Sequence, residues 1–376
     1  MIAARTGRRP DFALLATVGL ILVLGLDMVF SASYVIAHND PQYGSDSYFL
    51  VQQASRAGVG VVLLLIFQAV DYHIWRKLSV PLIGITFVLL LAVLVTHLSH
   101  SAYGAQRWLK FGPLPPIEPS EVAKLSLVIY ASDWLDRRRD RIRSFAECTV
   151  PFVLIVAALC ALVLSQPDLG TTIVIAAIGG SLYFIAGADW RHLALGILTG
   201  GGALVLAVFG AGYRSDRITA FLDPSKDPLG IGWNITQAQI ALGSGGIFGL
   251  GLGASRQKFY YLPNAQTDAI FAVVGEELGL IGTIGLMLLF GFLAYRGIRI
   301  ALRAPDLFGA LLCIGVTVWL VLQAFINMGV ITATIPFTGI PLPFVSYGGS
   351  SLMVSLLAIG IMLNVSRQME ESWGTD

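Results

Sequence analysis

Charged residues are scarce in this chain of 376 residues. Asp, Glu, Lys and Arg make up 12% of it, whereas hydrophobic residues make up 56% and the mean hydropathy is +0.76. An average soluble domain carries about 25% charged residues, so the composition excludes a soluble globular protein. Apolar runs of membrane-span length recur from end to end. We therefore predict a single polytopic, all-α integral membrane domain over residues 1–376, and we expect no nucleic-acid partner.

Cysteine is sparse as well, with only Cys148, Cys160 and Cys313 present. Two of the three lie inside apolar runs, so we expect buried free thiols and no disulfide framework. The first apolar run, at residues 12–33, is too long for the apolar part of a signal peptide and lacks a clear cleavage site. We therefore predict that it is a retained first span.

Ten apolar segments predict about ten transmembrane helices. They lie at residues 12–33, 50–70, 80–98, 120–135, 150–166, 169–187, 192–212, 269–295, 306–330 and 349–366. The fourth segment is the weakest because Glu121 and Lys124 must face the bundle interior or lie near the outer end of the helix. A large extracytoplasmic loop, residues 213–267, separates the seventh and eighth segments. Its stretch WNITQAQIALGSGGIFGL predicts an amphipathic surface helix that ends at glycines.

The distribution of Lys and Arg predicts the orientation. Fifteen of the 24 basic residues fall in the segments that are cytoplasmic if the N-terminus is inside, among them Arg5, Arg8 and the RRRDRIR run at 137–143. Such enrichment is typical of cytoplasmic loops. An even number of spans then puts both termini in the cytoplasm.

Three short segments stand out from the spans. Residues 101–124 are rich in Pro and Gly and predict a loop. The QPDLGTT stretch at 166–172 predicts a tight turn in which Asp168 caps the sixth span. The stretch from Pro336 to Ser351 has too many prolines and glycines for regular helix, which predicts a re-entrant or cavity-lining segment.

Polar residues of the outer face form two groups. Arg107, Glu121 and Lys124 come from the first of these segments, and Arg256, Lys258 and Asp268 come from the long loop and its end. Basic residues around one carboxylate indicate an anionic substrate and the abstraction of a proton. A sugar on a lipid diphosphate fits, because the diphosphate needs cations, the acceptor hydroxyl needs a base and the lipid tail needs a bilayer. Burial at a membrane edge raises the pKa of a carboxylate and makes it a stronger base.

The same residues also allow structural interpretations. Asp268 could cap the eighth span, and Glu276 and Glu277 could pair with basic residues inside the bundle. The residues alone do not identify the sugar, and they leave transport open.

The sequence resembles the SEDS family of peptidoglycan glycosyltransferases (shape, elongation, division, sporulation) over nearly its whole length. The motifs that carry the resemblance are, in order, MVFSAS, GAQRWLKFGP with PSEVAK, QPDLGT, FLDP with WNITQAQIALGSGG, LPNAQTDAIFAVVGEELGLIG, and GIPLPFVSYGGSS. Each motif alone is weak, but their order on a ten-span pattern is highly specific. GLGLGASRQK at 249–258 is typical of the division member, FtsW, and GIPLPFVSYGGSS is closer to the elongation member, RodA. We favour the division type.

The resemblance implies polymerisation of lipid II into glycan strands at the outer face of the bacterial cytoplasmic membrane. It identifies Asp268 as the essential catalytic residue, and Arg107, Glu121 and Lys124 as residues of a polar substrate cavity, to which we add Lys258. It also implies a divalent cation, Mg²⁺ or Mn²⁺, with no ligands assigned. The partners it implies are a class B penicillin-binding protein that supplies transpeptidation and other membrane proteins of the division machinery.

One departure from the family pattern concerns the residues before Asp268. Family members often have Glu-Ala-His there, whereas this chain has Asn264, Ala265 and Gln266, so a titrating group at these positions is in doubt. Two other functions remain as alternatives. A lipid II flippase would need polar groups at both faces and a path between them, and a non-catalytic scaffold would tolerate Asp268→Asn.

Overall fold

The structure is a computed structural model that describes residues 9–95, 99–102, 105–110, 116–209, 212–227 and 230–369. Arg5 and Arg8, used above for the orientation, and parts of the 101–124 segment lie outside these ranges. The helices are α1 (Phe12–Asn39), α2 (Tyr48–Ala69), α3 (His73–Val95), α4 (Pro119–Arg137), α5 (Val150–Ser165), α6 (Leu169–Ile185), α7 (Trp190–Phe209), α8 (Gly212–Leu222), α9 (Ile231–Gly245), α10 (Ile270–Leu302), α11 (Leu307–Ile331) and α12 (Gly349–Ser366). Two strands, β1 (Ser99–Ala102) and β2 (Ala105–Leu109), form an antiparallel hairpin.

Every predicted span corresponds to a helix, and the all-α membrane fold is confirmed. Among the residues that the structure describes, seven helices are long and apolar enough to cross a bilayer, namely α1, α2, α3, α5, α10, α11 and α12. Helix α6 is apolar but has only 17 residues, and α4 carries the charges of Glu121 and Lys124. The total of ten spans therefore stays a prediction.

Ion pairs and hydrogen bonds join the helix ends at one end of the bundle. Asp11, which precedes α1, is bound by Arg296 of α10, and its backbone N–H donates to Ser366 Oγ of α12 at 3.1 Å. His73, the first residue of α3, lies 2.9 Å from Asp306, which caps α11. We call this the opposite end of the bundle, and the end that contains Asp268 the site end.

Helix α4 lies inside the bundle and packs against α3, α6 and α11. Nearly all its residues from Pro119 to Leu135 are buried, including the charged Glu121 and Lys124. The sequence required these two charges to face protein or the outer end of the helix, because an unpaired charge facing hydrocarbon is costly. The structure places them against the neighbouring helices.

The long loop contains most of α8 and all of α9. Helix α9 was predicted to lie on the surface, but Ile235, Ala238 and Ala241 are buried and the helix packs against α10. The approach is close, since a Cβ atom on Gly245 would lie 2.0 Å from the carbonyl oxygen of Gly275. The loop therefore forms part of the protein core at the site end.

Helix α10 is interrupted at Gly279, whose φ of 66° lies outside the helical region. Residues 246–251 of the long loop complete the hydrogen bonding on both sides of the break. Leu250 N–H donates to the Glu276 carbonyl at 3.0 Å, and Leu280 N–H donates to the Gly246 carbonyl at 2.9 Å. The break thus leaves these backbone groups paired inside the protein, as an interruption at membrane depth requires.

The segment 101–124 was predicted to be a loop, and this was wrong for its first part. Strand β2 pairs with β1, and Leu109 also exchanges two backbone hydrogen bonds of 2.9 Å with Ile117. Pro and Gly in the segment concealed these short strands. The hairpin holds Arg107 at the site end.

Candidate active site

Asp268 ends the long loop immediately before α10. The residue that precedes the first turn of α10 is Ala269, which makes no side-chain cap, so the interpretation of Asp268 as a helix cap is wrong. The backbone carbonyl of Asp268 accepts a 2.8 Å hydrogen bond from Asn327 Nδ2, which also donates to the Ile340 carbonyl at 2.8 Å. The backbone of Asp268 is therefore fixed while its carboxylate is left available.

The segment from Pro336 to Ser351 supports Asp268 from the other side, and its irregular backbone was predicted correctly. Ser346 Oγ donates to the Thr267 carbonyl at 2.6 Å, and Tyr347 N–H donates to the Gln266 carbonyl at 2.8 Å. The ideal Cβ position of Gly339 lies 3.5 Å from Asp268 Oδ2, so the carboxylate faces this segment without a side chain between them.

Arg107 reaches the tight turn between α5 and α6. Its guanidinium donates to the carbonyls of Gln166 at 3.3 Å and Pro167 at 2.5 Å, and lies 3.6 Å from Asp168 Oδ2. Asp168 also accepts a 3.1 Å hydrogen bond from Thr171 N–H, which confirms that it caps α6. The sequence predicted only this capping role, and the ion pair with Arg107 was not predicted.

The charges around Asp268 set its proton affinity. The pKa of Asp268 is raised to about 6, mainly by burial; among the neighbouring charges, Arg107 and Arg217 lower this pKa and Asp168 raises it. A carboxylate with this pKa is ionised at neutral pH and is a stronger base than an exposed aspartate, whose pKa is about 3.9. This combination suits a general base.

Arg217 of α8 is a site residue that was not singled out from the sequence. Its side chain is buried, and Nη1 donates to the carbonyls of Phe337 at 3.3 Å and Thr338 at 3.2 Å. In the sequence Arg217 is only a basic residue near FLDP, and this pattern did not indicate that it lies beside Asp268.

Glu121 and Lys124, three residues apart and therefore on one face of α4, form a buried ion pair. Lys124 Nζ lies 2.8 Å from Glu121 Oε1, donates to Gln323 Oε1 at 2.7 Å, and sits 5.0 Å from the centre of the Trp319 ring. The two charged side chains are 1% and 2% exposed, which makes this pair part of the core as well as of the polar region. Glu121 Oε2 is buried without a hydrogen-bond partner among the described residues.

Glu118 is a second carboxylate that the sequence did not single out. Its backbone N–H donates to Ser350 Oγ at 3.1 Å, and its Oε1 accepts from Ser120 Oγ at 3.2 Å. Burial, followed by the charges of Glu121 and Asp168, raises the pKa of Glu118 to about 8, although Arg107 and Lys124 oppose the rise. Glu118 is therefore protonated at neutral pH while Asp268 is ionised.

Lys258 belongs to a different cluster. Its Nζ donates to Gly253 O at 2.6 Å and Ser31 Oγ at 3.0 Å, and lies 3.3 Å from Glu277 Oε1. The predicted pairing of Glu277 with a basic residue is confirmed, and that residue is Lys258. Glu277 lies nine residues along the chain from Asp268, about 13 Å at the helical rise, and all three donors of Lys258 have partners. The structure does not bring Lys258 together with Arg107 and Asp268, and its substrate role stays a prediction.

Glu276 does not pair with a basic side chain among the described residues. It accepts a 2.9 Å hydrogen bond from the backbone N–H of Arg256 and one of 2.5 Å from Ser255 Oγ. Its partners are therefore the backbone and a hydroxyl of the loop, which gives it a structural role.

Within the described ranges, no three His, Cys, Asp or Glu side chains converge as a ready metal site. Magnesium commonly binds through one or two carboxylates, water and substrate phosphates. The unpaired Glu121 Oε2 can supply one such ligand, so the residues fit a cation that binds together with a phosphate-bearing substrate.

Comparison with known proteins gives one consistent result. The FtsW/RodA/SpoVE family model, described as "Cell cycle protein", matches residues 12–371. Stage V sporulation protein E of Bacillus subtilis is 44% identical, covering 95% of this chain and 97% of its own. A probable peptidoglycan glycosyltransferase FtsW of Trichlorobacter lovleyi is 40% identical, covering 95% and 93%.

Solved structures agree with the sequence matches. One chain from a study of polymerization and crosslinking by a peptidoglycan synthase complex superposes with a TM-score of 0.78 at 29% identity, covering 96% of this chain and 99% of its own. The rod shape determining protein RodA of Thermus thermophilus gives a TM-score of 0.70 at 30% identity, covering 96% and 98%. The chain belongs to the FtsW/RodA/SpoVE family.

Proposed function

We propose that this protein is a peptidoglycan glycosyltransferase of the division type, which polymerises lipid II into glycan strands. The observation that carries the proposal is the partly buried Asp268, with its raised pKa, beside Arg107 and Arg217. The names of the relatives support the same activity, and the GLGLGASRQK motif supports the division type. An elongation-type polymerase is the second candidate, supported by the fold of RodA.

In the proposed reaction, Asp268 accepts the proton of the 4-hydroxyl of the acceptor sugar. The hydroxyl oxygen then forms a bond to the anomeric carbon of the donor, and the bond from that carbon to the diphosphate oxygen breaks. The lipid diphosphate leaves with the electron pair, so no general acid is needed when cations neutralise it. The reaction thus needs one carboxylate base, unlike glycoside hydrolysis with its paired carboxylates.

Arg107 and Lys124 hold the donor diphosphate in this proposal. Arg107 is 12% exposed and presents a planar donor set suited to phosphate oxygens. Lys124 is held by Glu121, so it acts from a fixed position beneath the diphosphate. A Mg²⁺ or Mn²⁺ ion bound by Glu121 would neutralise the negative charge on the leaving group.

The site end faces the outside of the cytoplasmic membrane in this proposal, and both termini are cytoplasmic. The basic residues of the opposite end support this orientation. A class B penicillin-binding protein supplies transpeptidation as the partner, which the match to a chain from a peptidoglycan synthase complex supports. Other membrane proteins of the division machinery complete the assembly.

The test is polymerisation by the purified protein, with and without a class B penicillin-binding protein. Lipid II and Mn²⁺ are added, and glycan ladders are resolved on a gel. We expect ladders from the wild type and none from Asp268→Ala, because the variant lacks the base. Asp140→Ala removes an exposed carboxylate at the opposite end and serves as the matched control, which should retain activity.

Retained polymerisation by a folded Asp268→Ala variant would contradict the base assignment. If the wild type gives no ladder even with its partner, the protein should instead be assayed as a flippase with labelled lipid II in liposomes. Movement of lipid across the bilayer without polymer would replace the enzyme with a transporter.

A further inference from the structure

Asp27 is a charged residue in the middle of α1 that points away from the helix bundle. It is exposed, and so are Leu20 and Val23, which lie on the preceding turns of the same helix face. Along the helix it is about 23 Å from Phe12 and about 18 Å from Asn39, the two ends of α1. A bilayer core about 30 Å thick therefore contains Asp27 wherever it begins along α1. Charged side chains within spans almost always face the bundle interior, so this exposed carboxylate indicates a function.

The protein does not compensate the charge of Asp27. Among the described residues, none donates a hydrogen bond to its carboxylate or forms an ion pair with it. One turn further along α1, the Ser31 hydroxyl donates to Glu277 at 2.5 Å. The cation of this cluster is Lys258, whose Nζ contacts Ser31, Glu277 and the Gly253 carbonyl. The charge that acts on Asp27 is the like charge of Glu277.

The long loop reaches the same level beside α1. Gly251 N–H donates to the Glu277 carbonyl at 3.0 Å, and Gly253 N–H donates to Glu277 Oε2 at 2.9 Å. Both glycines are exposed and have positive φ angles, 103° and 76°. Irregular backbone at membrane depth is tolerated where protein or water covers it. The loop is thus a second feature of this surface that calls for a covering element.

We call this surface the Asp27 face. Its side chains are exposed and, apart from Asp27, apolar: Leu20 and Val23 of α1, and Phe248 and Leu252 of the loop. An occupant must therefore present apolar side chains around one positive charge. A cationic lipid head group lies at the membrane surface and not within the hydrocarbon core. A second copy related by a twofold axis would place Asp27 against the same negative charge.

We propose that the Asp27 face binds a transmembrane helix of a partner protein, and that this helix presents a Lys or Arg side chain to Asp27. The attraction between the two charges is far stronger in a medium of low dielectric constant than in water. Apolar contacts alone select weakly, because lipid tails are as apolar as leucine. The charge pair therefore fixes the depth and the identity of the partner helix. The proposal concerns assembly and does not depend on the polymerisation chemistry.

The probe is a synthetic transmembrane peptide of Leu and Ala with one Lys at the level of Asp27. A matched peptide carries Leu at that position. The full-length protein is reconstituted in phosphatidylcholine vesicles, and binding of the labelled peptides is measured by energy transfer. We expect the Lys peptide to bind about tenfold more tightly, the scale of a strong polar contact between transmembrane helices. Asp27→Asn should abolish this preference, because it preserves the shape of the side chain and removes its charge.

Three variants separate the face from the charge. Val23 on α1 and Val88 on α3 are 67% and 65% exposed, so they form a matched pair. Val23→Trp places bulk one turn from Asp27 and should weaken binding of the Lys peptide, whereas Val88→Trp should bind it like the wild type. Asp46→Asn removes an exposed carboxylate from the turn before α2 and should keep the preference for Lys.

The position of Lys in the peptide supplies a further test. Moving Lys by one turn or more toward either end should weaken binding, because the charge pair requires a common depth. Equal binding of the Lys and Leu peptides to the wild type would overturn the proposal, and so would a preference that survives in Asp27→Asn. A preference that does not depend on the depth of Lys would indicate a general attraction of opposite charges and would also refute it.

Thermal unfolding distinguishes a partner site from an internal role of Asp27. Asp27→Asn should unfold at the wild-type temperature or above it, because no internal bond is lost and an uncompensated charge is removed. A lower unfolding temperature would show that Asp27 has a partner inside the protein and would contradict the proposal. None of these measurements needs turnover, so a wild type that makes no polymer but prefers the Lys peptide would refute the proposed function and leave the Asp27 face standing.

Discussion

The raised pKa of Asp268 makes a quantitative prediction about the pH dependence of polymerisation. The base must be ionised, so kcat/KM should rise as the pH passes upward through the pKa of the free enzyme, about 6. About 91% of the carboxylates are ionised at pH 7 and about 9% at pH 5, so kcat/KM should fall about tenfold between them. An aspartate of ordinary pKa near 3.9 would lose less than about a tenth of its activity over the same interval.

Two substitutions should move the acidic limb of this profile in opposite directions. Asp168 raises the pKa of Asp268, so Asp168→Asn should shift the midpoint to lower pH. The amide oxygen of Asn can still accept from Thr171 N–H and cap α6. Arg217 lowers the same pKa, so Arg217→Gln should shift the midpoint to higher pH. The signs follow from charge alone, because a negative neighbour disfavours the carboxylate and a positive neighbour favours it.

The assay is the initial rate of lipid II polymerisation at subsaturating substrate, measured from pH 4.5 to pH 8 at constant ionic strength. Only the midpoint is compared, since both variants can also lower the maximum rate. A wild-type midpoint near 4 would show that Asp268 is not the titrating base. Shifts of both variants in the same direction would show that conformational change, and not local charge, controls the profile.

Three further predictions concern the neighbours of the site. Because its pKa is raised to about 8, Glu118 should become charged in alkaline solution and inhibit polymerisation. The Glu118→Gln variant should therefore keep its polymerisation activity at pH 7, and its rate profile should lose any decline at alkaline pH. Lys124→Met should lower the free energy of unfolding by about 3–5 kcal/mol, because it leaves the buried Glu121 without its cationic partner. Adding Glu121→Gln to this variant should restore much of the thermal stability without restoring polymerisation. Gly245→Ala should destabilise the protein by about 1–3 kcal/mol in thermal unfolding, since its Cβ would lie 2.0 Å from a carbonyl, whereas the open Gly243 should accept Ala.

The sequence predicted the helices well because membrane spans leave a strong physical signal. Long apolar runs had to be helical and had to satisfy their own backbone groups. The buried pairing of Glu121 with Lys124 followed from their spacing and from the cost of isolated charges in a membrane. The irregular segment around Gly339 followed from its prolines and glycines.

The geometry between distant segments could not be predicted in the same way. Arg217, Asp168 and Glu118 converge near Arg107 and Asp268 through the packing of separate loops, and no spacing in the chain encodes that contact. Lys258 was grouped with Asp268 because the two are near in sequence, although the chain turns between them. The strands around Arg107 were too short to be recognised, and the glycines and prolines that flank them predicted a loop.

The break in α10 has a mechanical consequence. A continuous helix behaves as a stiff rod, so tilting one end moves the other. At Gly279 the helix is interrupted, and backbone hydrogen bonds to residues 246–251 link its two pieces. A tilt of the lipid-facing piece around the exposed Leu288 therefore reaches Asp268 through the backbone at Gly279 and through the loop that is hydrogen-bonded to both pieces. The compliance of Gly279 and of that loop, not the rigidity of a continuous helix, sets how strongly the membrane-embedded surface and the reacting carboxylate move together.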